Sequence, residues 1–84
     1  MAENNKVDLT NPDSLKEAGN KAFTAKNYQQ AIENYTAAIE IRPNHIYYSN
    51  RANAHLELYQ FEECIDDCKK SIELQRTFTK SYYR

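Results

Sequence analysis

Apolar side chains recur at helical spacing in two stretches of this chain that align with each other position by position. Residues 19–43 and 52–76 match at an offset of 33 positions, with small residues on small ones and large residues on large ones. Gly19 falls on Ala52, for example. Each stretch has the periodicity of two amphipathic helices, so the pattern predicts a repeated helix pair.

Helix-start signals divide the first unit. Asn11 precedes Pro12, which predicts an N-cap followed by proline in the first helical position. The first helix should then run to about Lys26. Asn27 is expected to cap the second helix, with Gln30 placed as in a capping box.

The second unit is predicted from about His45 to Leu74. Pro43 should close the first unit, because a helix rarely continues through proline. The inter-helix turn of the second unit, expected at residues 58–60, contains no glycine and is weakly signalled. A third copy is predicted to begin at residue 79, because Leu15, Tyr48 and Tyr82 share one repeat position.

Length and composition exclude several classes of protein. Eighty-four residues allow one small domain, and the net charge of −1 favours neither nucleic acid nor an anionic membrane. The sequence has no apolar run long enough to span a membrane, no secretory signal, and no nucleophile elbow or phosphate loop. The protein is therefore predicted not to be an enzyme. Residues 1–11 are predicted to be a flexible tail.

Cations and amides gather on one face of the first helix of each repeat, away from the core positions. A face of this kind lines the concave surface of a stack of helix pairs. Asp13 and Glu17 add acidic groups to it in the first repeat. The cations and amides are Lys16, Asn20, Asn50, Asn53, Lys80 and Arg84.

These residue types suit an acidic peptide that ends in a free carboxylate. Ammonium and guanidinium groups bind carboxylates, and an asparagine amide can donate to and accept from a peptide. Hydrogen bonds to charged groups contribute about 1.5–3 kcal/mol each. A few such bonds, less the cost of ordering the peptide, predict an affinity on the order of micromolar.

The spacing of small, aromatic and proline positions resembles the tetratricopeptide repeat over residues 12–84. The resemblance implies an all-α, right-handed α-solenoid of about two and a half repeats: repeat one 12–44, repeat two 45–78 and a truncated repeat three 79–84. Departures from the family pattern include Cys68 for an aromatic residue and Arg76 for proline. The matching positions of the first repeat are Gly19, Tyr28, Ala31, Tyr35, Ala38 and Pro43.

The resemblance is strongest to carboxylate-clamp co-chaperones, namely the first tetratricopeptide domain of Hop/Sti1, protein phosphatase 5 and the small glutamine-rich co-chaperones. It implies a cytoplasmic interaction module of the stress response that binds the C-terminal Glu-Glu-Val-Asp peptide of Hsp70 or Hsp90. Two alternatives remain: the targeting domain of a chaperone-associated phosphatase, and a scaffold repeat without a clamp. The implied clamp residues are Lys16, Asn20, Asn50, Lys80 and Arg84.

Several other residues are given secondary or packing roles. Asn53, Leu56 and Tyr83 are possible groove contacts. Two ligands do not make a zinc site, so Cys64 and Cys68 are interpreted as buried structural thiols. No cofactor and no metal are predicted. Asp66 and Asp67 are expected on the helix surface, and His55 at an interior or edge position.

The third repeat stops at Arg84, before its second helix. The sequence is therefore interpreted as a fragment of a longer protein. Its uncovered helix faces predict self-association, or exchange of a helix with a neighbouring copy.

Overall fold

The computed structural model describes residues 7–82, and it describes side chains from residue 7 to residue 76. Each helix packs against the next one along the chain, and no strand occurs in the described part. The prediction of an all-α helical-repeat solenoid is confirmed. The helices are α1 (Pro12–Thr24), α2 (Tyr28–Ile41), α3 (His45–Glu57) and α4 (Phe61–Tyr82).

The first helix begins as predicted. The side-chain oxygen of Asn11 accepts hydrogen bonds from the backbone N–H groups of Asp13, at 2.9 Å, and Ser14, at 3.4 Å. Pro12 stands in the first turn, where its missing N–H costs no helical hydrogen bond. Upstream of this cap, where a flexible tail was predicted, the side chain of Val7 packs against the core.

The two inter-helix turns are built alike, although neither contains glycine. Lys26, with φ of 67°, and Tyr59, with φ of 60°, both adopt the left-handed conformation, and they lie at equivalent repeat positions. The next N–H in each turn reaches back five residues, from Asn27 to the Ala22 carbonyl at 2.8 Å, and likewise in the second turn. The backbone thus confirms the 33-residue repeat where the sequence signal is weakest.

Asn27 directly precedes α2, as predicted, but the predicted capping box is wrong. The side chain of Asn27 makes no cap hydrogen bond, and its backbone, with φ of −92° and ψ of 72°, is not extended as at a capping residue. A cap that the sequence analysis did not predict is present at Asn44, whose side chain accepts from the N–H of Ile46 at 2.7 Å and starts α3.

The last helix is longer than the second helix of repeat one. It was expected to end near Leu74, but α4 continues without a break to Tyr82. Arg76 stands where repeat one has Pro43, and neither glycine nor proline follows in α4. Because arginine is a good helix former, nothing in this segment stops the helix. The predicted boundary between repeats two and three therefore falls inside α4.

The core lies mainly between α1, α2 and α3. Its two largest fully buried side chains are Tyr35 and Leu15. Within residues 7–82, no helix is long and apolar enough to cross a membrane. The buried core residues form two clusters, one of Ala22, Ala31, Ile32, Tyr35 and Ala54, and the other of Leu15, Ala38, Ile39 and Tyr47.

Candidate functional site

Two of the predicted clamp residues meet between α1 and α3. The side-chain Nδ2 of Asn50, on α3, donates a hydrogen bond to Oδ1 of Asn20, on α1, at 3.3 Å. The two amides are 30 residues apart in the chain, so only the packing of the helix pairs brings them together. The structure therefore places these amides on one surface, as the periodicity predicts.

A small cavity of about 100 Å³ opens beside this amide pair. Asn53 lines it, in agreement with its prediction as a groove contact, whereas Leu56 does not line it and is 46% exposed. Phe23 and Tyr35, for which no role in the site was predicted, also line the cavity, together with Asn20 and Asn50. The cavity thus combines amide groups with aromatic walls.

Lys16 lies one helical turn before Asn20 on α1, and its side chain is half-buried. Among the residues whose side chains are described, it has no hydrogen-bond or ion-pair partner. Its ammonium group is therefore free to pair with a ligand. Asn20 also lines a second cavity of about 350 Å³, together with Lys21, Thr24 and Ala25.

One of the two acidic groups predicted on this face, Asp13, is bonded to a core residue. The hydroxyl of Tyr47 donates to Oδ1 of Asp13 at 2.6 Å, which joins α3 to the start of α1. Burial, this hydrogen bond and the negative charge of Asp13 raise the pKa of Tyr47 to about 12. Asp13, one of the acidic residues predicted on the groove face, therefore also links α1 to α3.

Three predicted site residues cannot be compared with the structure in this way. The side chain of Lys80 and the whole of Tyr83 and Arg84 lie outside the part that is described. The backbone of residue 80 belongs to the continuous helix α4. The contributions of these residues to the clamp stay predictions.

A second polar cluster lies away from the groove and joins α2, α3 and α4. The Arg51 guanidinium donates to both carboxylate oxygens of Asp67, at 2.7 and 2.8 Å, and to Oγ1 of Thr36 at 3.0 Å. The hydrogen bonds to Asp67 raise the pKa of Arg51. His55, at a packing position as expected, has Nε2 at 3.6 Å from Asp67.

The surface prediction for Asp67 is wrong, since this residue is 5% exposed. A charged residue is rarely buried unless it is paired, and its partner Arg51 lies on another helix. Sequence reasoning therefore had no local signal with which to find the pair. The cluster binds the helices to each other, and its charges are already matched.

The two cysteines are less buried than predicted. Cys68 is exposed and Cys64 is half-buried, so only Cys64 resembles the expected structural thiol. Burial, and next the neighbouring Cys68, raise the pKa of the Cys64 thiol. Among the described residues, no three histidine, cysteine or acidic side chains converge on a point where a metal could bind.

Comparison with known proteins shows which proteins this chain is similar to. The chain is 45% identical over 78 residues to small glutamine-rich tetratricopeptide repeat-containing protein 2 of Mycosarcoma maydis, covering 92% of this chain and 22% of that protein. It is 43% identical over 68 residues to Hsp70-Hsp90 organizing protein 2 of Arabidopsis thaliana, covering 80% of this chain and 12% of that protein.

Human serine/threonine-protein phosphatase 5 is 40% identical over 77 residues, which cover 90% of this chain and 15% of the phosphatase. The chain thus spans less than a quarter of the length of each of these relatives. The family model of the tetratricopeptide repeat matches twice, over residues 19–45 and 46–78. The chain belongs to the tetratricopeptide repeat family, and its similarity to co-chaperone members confirms the resemblance drawn from its sequence.

Proposed function

We propose that the groove between α1 and α3 binds the acidic C-terminal Glu-Glu-Val-Asp peptide of Hsp70 or Hsp90, as part of a co-chaperone. The observation that supports it most directly is the pairing of Asn20 with Asn50 at the cavity, one helical turn from Lys16, whose ammonium group has no partner among the described side chains. A peptide carboxylate only accepts hydrogen bonds, and each of these groups can donate to it.

The rest of the clamp is proposed from the sequence alone. Lys80 and Arg84 would supply the cations opposite Lys16, with Arg84 gripping the carboxylate through two parallel N–H groups. Tyr83 would add an aromatic contact beside them. The relatives are consistent with this partner, because one of them is named an Hsp70-Hsp90 organizing protein. A cytoplasmic location follows if the partners are the cytosolic chaperones.

Titration of a fluorescein-labelled Met-Glu-Glu-Val-Asp peptide tests the proposal. We expect a dissociation constant on the order of micromolar that rises with salt. It should rise at least tenfold in Asn50→Ala or Lys80→Ala, and binding should be lost when the peptide C-terminus is amidated. Asn27→Ala is the matched control, because Asn27 is exposed and makes no side-chain cap hydrogen bond. Equal binding of the free-acid and amidated peptides would contradict the clamp.

A second candidate keeps the same groove but places it in an enzyme. The similarity to phosphatase 5 favours this alternative, in which the domain targets a serine/threonine phosphatase to the chaperone. The repeat itself remains a non-catalytic interaction module. A scaffold repeat without clamp activity is the outcome if the titration above fails.

Self-association is a further proposal, for a different surface. Phe61, Ile65 and Ile72 form an exposed apolar stripe along α4, with exposed fractions of 53–55%. Exposed Cys68 lies within the same stripe. Because apolar stripes on a helix usually pack against another helix, we propose that a second copy covers this face.

A further inference from the structure

We propose that Tyr35 is a positioning residue of the groove, whose buried hydroxyl fixes the orientation of the Asn20 carboxamide so that its N–H donors face the ligand. This inference rests on the proposed function of the groove. It means that a core residue contributes to the preference of the groove for a carboxylate over an amide ligand. From the sequence, Tyr35 is only one of the positions that match the repeat pattern.

The ring of Tyr35 reaches the groove because Gly19 has no side chain. A Cβ at Gly19 would lie 2.5 Å from Cε1 and 2.7 Å from Cδ1 of Tyr35, far inside van der Waals contact. The ring of Tyr35 therefore lies directly on the backbone of α1, and the residue is only 2% exposed. Its hydroxyl emerges beside the next residue of α1, which is Asn20.

The hydroxyl of Tyr35 donates its hydrogen bond to Oδ1 of Asn20. Nδ2 of Asn50 donates to the same oxygen at 3.3 Å. Burial raises the pKa of Tyr35, so its hydroxyl keeps its proton and remains a donor at neutral pH. One donor from α2 and one from α3 thus bond to the same atom, which makes Oδ1 the acceptor end of the Asn20 amide.

The other end of the amide is left for the ligand. Among the residues whose side chains are described, none accepts a hydrogen bond from Nδ2 of Asn20. If the amide were turned over, its NH₂ group would face Nδ2 of Asn50, and two donors would oppose each other. The free carboxylate of a peptide accepts only, so it matches the fixed orientation, whereas an amidated end presents donors of its own.

Repeat two has the equivalent asparagine but lacks the tyrosine hydroxyl. Cys68 stands at the position equivalent to Tyr35, and it has no hydroxyl to send toward α3. Asn53, the equivalent of Asn20, has no side-chain hydrogen bond within the described part of the chain. Of these two asparagines, Asn20 alone has its orientation held by hydrogen bonds among the residues whose side chains are described.

The test is Tyr35→Phe, which keeps the ring against Gly19 and removes only the hydroxyl. The dissociation constant of the free-acid Met-Glu-Glu-Val-Asp peptide should rise about fivefold, the equivalent of one neutral hydrogen bond. The ratio of the amidated to the free-acid constant should fall, because one of the two donors that hold the Asn20 amide in its orientation is then missing and only Asn50 remains. Tyr28→Phe is the matched control, since Tyr28 packs edge-on against Phe23 in the same repeat and its hydroxyl has no partner among described residues.

Asn20→Ala separates the failure of this inference from the failure of the proposed function. If Asn20→Ala leaves peptide binding unchanged, the groove is not the clamp and both proposals fall. If Asn20→Ala weakens binding but Tyr35→Phe does not, only the inference falls. The inference requires Tyr35→Phe to have no further effect in the Asn20→Ala background. An equal effect in both backgrounds would mean that the hydroxyl acts through packing, which overturns the positioning role.

Discussion

Both repeats have isoleucine at the same two positions, but these side chains are buried in repeat one and exposed in repeat two. Ile32 and Ile39 of repeat one are each 9% exposed, whereas their equivalents Ile65 and Ile72 are 53% and 55% exposed. The isoleucines of α2 pack in clusters that include residues of α3, and within the described residues no helix follows α4 to do the same. Burial in this fold is therefore supplied by the next repeat and not by the helix pair itself.

The two helix pairs are also held together by different chemistry. Repeat one closes with the glycine and tyrosine pair of Gly19 and Tyr35, an apolar contact of a ring with bare backbone. Repeat two has Ala52 and Cys68 at these positions, and its buried link is instead the ion pair of Arg51 with Asp67. Repeat two thus lacks the large buried ring of repeat one and has a buried ion pair instead.

The largest expected effect comes from breaking that ion pair. Asp67→Ala should lower the free energy of unfolding by about 3 kcal/mol, because it leaves the Arg51 guanidinium partly buried without its partner. The equivalent change in repeat one, Asn34→Ala, removes only an exposed hydrogen bond to the Gln30 carbonyl and should cost less than about 1 kcal/mol. Urea unfolding followed by circular dichroism measures both.

A double variant sharpens this result. Arg51→Met with Asp67→Ala removes both charges, so it should recover part of the stability lost in Asp67→Ala alone. Similar losses for Asp67→Ala and Asn34→Ala would show that the two repeats do not differ in the way the ion pair implies.

The repeat pattern predicts the fold well because it depends on local properties. Helix starts, small positions and the polar faces that carry Lys16 and Asn20 on α1 and Asn50 on α3 follow from spacing within each helix. The Arg51–Asp67 pair does not, because its partners lie on different helices and each looks like a surface residue in its own sequence context. The hydrogen bond of the Tyr35 hydroxyl was not predicted for the same reason, because its partner Asn20 lies on another helix.

The course of α4 shows a different limit. By analogy with repeat one, this helix was predicted to end near Leu74, but a helix ends where something stops it. Proline does so after α2, and arginine at the equivalent position does not. Repeat symmetry therefore predicts which faces are apolar better than it predicts where a helix ends.

The second prediction uses the equivalent isoleucines directly. Ile39→Ala should cost about 3 kcal/mol, because it leaves a cavity in the cluster formed with Leu15 and Tyr47. Ile72→Ala should change the free energy of unfolding of the single chain by less than about 0.5 kcal/mol, because this side chain is mostly exposed.

Measurement over a range of protein concentrations extends this comparison to self-association. If a second copy covers the stripe on α4, Ile72→Ala should raise the dimer dissociation constant in analytical ultracentrifugation, while Ile39→Ala should act mainly on folding. A cost of several kcal/mol for Ile72→Ala at low concentration would contradict the difference between the two faces.

The smallest effect concerns the two turns, where the repeats agree in backbone and differ in side chain. Lys26 and Tyr59 both have positive φ, a conformation that costs a non-glycine residue about 1 kcal/mol or more. Lys26→Gly should therefore raise the free energy of unfolding, by up to about 1 kcal/mol. Tyr59→Gly should gain less, because the ring of Tyr59 packs edge-on against Phe61 at a centroid distance of 6.2 Å and that contact is lost.

Lys21→Gly controls for the general effect of glycine, since Lys21 lies within α1 and its replacement should destabilise the protein by about 1 kcal/mol. If Tyr59→Gly stabilised the protein more than Lys26→Gly, the Tyr59–Phe61 contact would contribute nothing. The turn of repeat two would then be held by its backbone hydrogen bonds without a contribution from this pair. The order of the two variants thus decides whether the aromatic pair compensates for the missing glycine in repeat two.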